Sequence, residues 1–125
     1  MLMRWLRRLI QPPAVALDLR NEALSLAMDW GEQWLAPIQG RLAEKFPRLA
    51  RSELDALDAT AREAMAFAQE TILAFAARGD QGLTEEEFSA RFLAQYPWAD
   101  AENVARMFRQ GTYYAWKAGG PAQSR

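Results

Sequence analysis

Residues 53–78 read ELDALDATAREAMAFAQETILAFAAR, and their apolar positions decide the fold class. Leu54, Leu57, Ala61, Ala64, Met65, Ala68, Ile72, Phe75 and Ala76 form the stripe of an α-helix, with Phe67 and Leu73 on opposite flanks of its second half. Ser52 with Asp55 three residues on predicts a capping pair that opens this helix at Glu53, and Gly79 ends it. The whole chain shares the bias, with 24 Ala and 15 Leu against two Val and three Ile. Ala and Leu lose little side-chain freedom in a helix, whereas strands favour β-branched residues. The reading is all-α.

Working outward, Asp18 is an acceptable N-cap for an earlier helix that runs to about Ala36, where Pro37 and Gly40 bend or break it before a continuation to Phe46. After the turn at Asp80-Gln81-Gly82, Thr84 and Glu87 have the spacing of a capping box for a helix from Glu85 to Gln95, with Phe88, Phe92 and Leu93 inward. Tyr96-Pro97-Trp98 breaks that helix, Asp100 caps a last one over 101–118, and Gly119-Gly120-Pro121 ends it. The expected architecture is a compact bundle of four to five helices with a short basic amphipathic N-terminal helix. Residues 1–13 form that basic segment, 14–119 a single helical domain and 120–125 a disordered tail.

The chain has no Cys and no His among its 125 residues. Structural zinc sites, haem held by a proximal histidine, Cys-bound iron–sulfur clusters and His-dependent nucleophilic triads all need those side chains. No metal and no cofactor is expected. Glu85-Glu86-Glu87 is accounted for by the helix dipole and the cap. Residues 79–88, GDQGLTEEEF, fail as a calcium loop because Ala76 and Arg78 stand where oxygen ligands are needed and Gln81 where the glycine is. No spacing of carboxylates marks a general acid facing a base, although a buried pocket using Glu63, Glu70, Glu85 and Glu86 would reopen the question. The expectation is a protein that is not an enzyme.

Net charge is −1, but it is unevenly placed. Residues 1–10 carry three Arg and no acid, residues 51–100 carry four positive against ten negative, and residues 101–125 carry four against one. A partner of negative charge is therefore sought at the two ends. The acidic total disfavours nucleic acid, and the first turn of the last helix, with Asp100, Glu102 and Asn103, would repel a duplex rather than read it. No run reaches the ~18 apolar residues of a membrane span, and no signal peptide is recognisable. A cytoplasmic location fits the absence of Cys.

Two surfaces stand out. On the last helix, Val104, Met107, Phe108, Gly111, Tyr114, Ala115 and Ala118 share one arc, and Arg106, Arg109, Tyr113, Trp116 and Lys117 share the opposite one. Core packing accounts for the first arc. Aromatic rings among cations on the second are the residue types that dominate protein interfaces, so this face is the expected contact for a protein partner or a homodimer. The ordinary packing alternative buries these rings against the N-terminal segment or a second copy, with Arg109 over Tyr113. The second surface is the N-terminal segment itself, where Arg4, Arg7 and Arg8 oppose Leu2, Trp5, Leu6 and Leu9. Arg4, Trp5, Arg7 and Arg8 suit contact with a partner or weak peripheral contact with a membrane.

Overall fold

The computed structural model describes residues 19–29, 36–77 and 83–117. Its elements are α1 (19–27), α2 (Gln39–Lys45), α3 (Arg51–Ala77), α4 (Glu85–Gln95) and α5 (Ala101–Lys117), with no strand among the described residues. The fold class is all-α, as the Ala and Leu content requires, with five helices among the described residues. The expected N-terminal helix and the expected tail lie outside the described residues. The chain groups into two compact units that divide between Ala61 and Arg62.

In the first unit α1 buries Ala23, Leu24 and Ala27, Met28 is buried just after it, α2 buries Leu42 just after the buried Ile38, and the start of α3 buries Leu54 and Ala61. The expected continuous helix to Ala36 is interrupted at Met28 and Asp29. Among the described residues α1 stops at Ala27, and Ala36-Pro37-Ile38 is not helical. Arg41 is the reason. Its guanidinium donates to the Leu26 carbonyl at 3.0 Å, to Asp29 Oδ2 at 2.8 Å and, more weakly, to the Pro37 carbonyl at 3.4 Å. The Leu26 carbonyl also accepts from the Asp29 N–H at 3.2 Å, a contact one residue shorter than the α-helical repeat, which tightens the helix end. Ile38 brings no side-chain cap to α2, and Asp58 on α3 takes its N–H at 3.3 Å instead. Phe46 is outside α2 and closes it by donating to the Leu42 carbonyl.

The opening of α3 also differs from expectation. It begins at Arg51, so Ser52 stands inside the helix, exposed. The Ala50 carbonyl accepts from the Leu54 N–H, and Glu53 reaches back to the Ala50 N–H at 2.8 Å. A carboxylate three residues into the helix thus supplies half of a capping box around an alanine, and Asp55 is not part of it.

In the second unit the later turns of α3 bury Ala64, Met65, Ala68 and Ile72, α4 buries Phe88 and Phe92, and α5 buries Val104, Met107 and Ala115. Both bonds of the Thr84–Glu87 capping box are made, at 3.0 and 3.1 Å. Asp100 caps α5 by accepting from the Asn103 N–H at 2.8 Å. Aromatic rings make the core: Phe92 lies 4.9 Å from Tyr96, 5.7 Å from Phe88 and 6.0 Å from Phe67, centroid to centroid. Such pairs add ~0.5–1.5 kcal/mol each beyond the area they bury. Tyr96 ends α4 as expected, but it is also buried, and its hydroxyl lies 3.4 Å from Glu63 Oε2. Burial first, and then the Glu63 carboxylate, hold the Tyr96 phenol above the ordinary tyrosine range.

Candidate functional site

The site begins with a difference in helix length. α4 has 11 residues and α5 has 17. Phe88 and Phe108, each ten residues from Trp98 in the connection, have ring centroids 5.6 Å apart, as a helical hairpin requires. At ~1.5 Å per residue the six additional residues of α5 carry its last turns beyond the start of α4. On α3, the Ile72 side chain reaches Gly111 of α5 and fills the space that a β-carbon there would take. This contact lies on the covered side of α5, with Val104, Met107 and Ala115.

The uncovered side holds the residues singled out from the sequence. Tyr113 is 43 % exposed and Trp116 48 %, Arg109 and Lys117 are exposed, and Arg106 is half-buried. The rings of Tyr113 and Trp116 have centroids 6.3 Å apart at 38°, and Tyr114 meets Tyr113 edge to face at 5.4 Å. The cation over the Tyr113 ring is Lys117, 5.8 Å from the centroid, and not Arg109 as the packing alternative supposed. A lysine four residues on can fold back over the ring, since i and i+4 share a face. The result is a short aromatic ledge with a cation at its end. It can stack on planar or apolar groups and attract carboxylates.

The opposite side is the core, with one addition that apolar periodicity does not reveal. Asn103 and Gln110 are buried beside Val104 and Met107. Their spacing of seven continues the buried face, but amides read as solvent-facing in any hydrophobicity pattern. Asn103 is thereby withdrawn from the surface at the start of α5. Leu73, on the flank of the α3 stripe, is 48 % exposed.

The other sequence candidates are not drawn into this site. Arg4, Trp5, Arg7 and Arg8 lie outside the described residues. Glu63, Glu70, Glu85 and Glu86 are all exposed, so these four make no buried acidic pocket. Among the described residues no group of three acidic side chains could hold a metal ion, and no helix is long and apolar enough to cross a membrane. In the first unit an open groove of about 290 Å³ lies between Leu19, Leu49, Ala56 and Leu57, with Arg20, Glu53 and Thr60 also lining it. It gathers no set of titratable groups that would mark a reaction centre. Compared with protein-family models, with curated proteins and with solved structures, the chain matches none of them.

Proposed function

We propose that the chain is a non-enzymatic interaction module of the cytoplasm, which holds a protein partner or a second copy of itself through Arg106, Arg109, Tyr113, Trp116 and Lys117. The observation that carries this reading is the half exposure of Tyr113 and Trp116 on a helix whose other side is packed. Leaving two large rings in water forgoes the ~25 cal/mol per Å² that burial returns, and a partner recovers it. The rings sit on a regular helix, so little conformational entropy is lost when they are covered.

The test compares the intact chain with Tyr113→Ala/Trp116→Ala in affinity capture from a lysate of the native host and in sedimentation equilibrium. Loss of a retained protein, or of a dimer, in the double variant at unchanged helix content supports the reading. Identical behaviour of the two chains overturns it.

A second reading has its own observation, the segregation of Arg4, Arg7 and Arg8 from Trp5 and the leucines within residues 1–10. It assigns this segment to weak peripheral contact with an anionic membrane. Co-sedimentation with anionic vesicles, with and without residues 1–13, decides it; equal binding by both chains ends it.

A further inference from the structure

The charge around the ledge says what kind of surface it fits. From Asn103 to Lys117 there is no Asp or Glu, while Arg106, Arg109 and Lys117 are all present. Arg109 and Lys117 are exposed, and none of the ion pairs among the described residues involves either of them. They flank the rings along the helix: Arg109 lies one turn before Tyr113, and Lys117 one residue after Trp116. The rest of the second unit is acidic, with Glu63, Glu70, Glu85, Glu86 and Glu87 exposed, so the positive strip is a local feature and not the general charge of the molecule.

From this we infer that the occupant of the α5 face is an acidic peptide segment that also carries apolar side chains, the apolar groups lying on Tyr113 and Trp116 and the carboxylates meeting Arg109 and Lys117. This inference rests on the interface reading above and adds the chemistry of the partner. The physical division of labour is the usual one: buried rings supply affinity, and rim charges supply steering and selection. A neutral apolar segment would leave both cations unmatched at the edge of a drying interface, and a basic one would add like-charge repulsion. Arg109 can pair a carboxylate through two parallel N–H donors, which also sets the direction of the bound segment.

The test uses a display library of random peptides selected against the full chain, with counter-selection on Tyr113→Ala/Trp116→Ala. Enriched sequences are expected to be net negative with interspersed apolar residues. Their affinity should fall at least about tenfold in Arg109→Glu/Lys117→Glu, and it should weaken as salt rises. Enrichment of neutral or basic peptides overturns the inference while leaving the interface reading intact. No enrichment on the intact chain over the counter-selected variant overturns the inference, and the interface reading then stands or falls on the capture and sedimentation comparison above. Binding of selected peptides that is indifferent to the charge reversal also overturns the inference, because the cations would then play no part.

Discussion

Gly111 on α5 faces Ile72 on α3 so closely that a β-carbon at position 111 would collide with Ile72 Cδ1. The glycine therefore leaves room on α5 for the Ile72 side chain, at the cost of ~1 kcal/mol of helix propensity relative to alanine. The group in the way is the tip of one flexible side chain.

That relationship predicts coupling between the two positions. Gly111→Ala should be more favourable by about 1 kcal/mol in an Ile72→Val background, which lacks the obstructing methyl, than in the natural chain. Urea unfolding of the four proteins of the double-mutant cycle measures it. Simple additivity would show that α5 shifts to admit the methyl without involving Ile72.

Tyr96 predicts a pH dependence. Its phenol is raised above 10 by burial first and by the Glu63 charge second. A folded-state value above the unfolded one means that the stabilisation is complete below about pH 10 and is lost as pH rises from the unfolded value through the folded one. The urea midpoint of the natural chain should fall over that alkaline range, and Tyr96→Phe should flatten the fall. At neutral pH the same variant should cost about 0.5 kcal/mol, the low end for a hydrogen bond, because the contact to Glu63 is long at 3.4 Å.

The start of α4 depends on a reciprocal cap. Thr84→Ala should lower stability by about 1 kcal/mol, and Thr84→Ser should restore most of it because the hydroxyl still accepts from the Glu87 N–H. Thermal unfolding followed by circular dichroism reads both. Equal losses for the two substitutions would assign the effect to the threonine methyl.

The α5 face and the aromatic core should separate cleanly in stability. Tyr113→Ala/Trp116→Ala removes rings that are nearly half exposed, so each change should stay within about 0.5 kcal/mol. Phe88→Ala removes a fully buried ring and should cost about 3–5 kcal/mol. A large loss in the surface variant would mean that the rings serve the fold.

Much of this was legible in the sequence. The Thr84–Glu87 box, the bounds of α4 and the Asp100 cap are local events, settled by side chains within a few residues of the backbone groups they satisfy. The division of α5 into a packed side and an aromatic, cationic side was equally local, being a matter of helical period. The break after Ala27 was not legible, because the competitor for the Leu26 carbonyl is Arg41, a residue from another helix. Nor was the burial of Asn103 and Gln110, whose amides look like surface to any hydrophobicity pattern.

Composition, period and caps by themselves determined that this chain is helical, where α4 and α5 begin, and which residues share the far side of α5, because each depends on forces acting over one or two helical turns. Tertiary structure alone decided where α1 stops, which polar groups go inside, and that Tyr113 and Trp116 stay nearly half exposed. Those outcomes depend on groups distant in the chain competing for the same carbonyl or covering the same surface, and that competition exists only once the helices are packed.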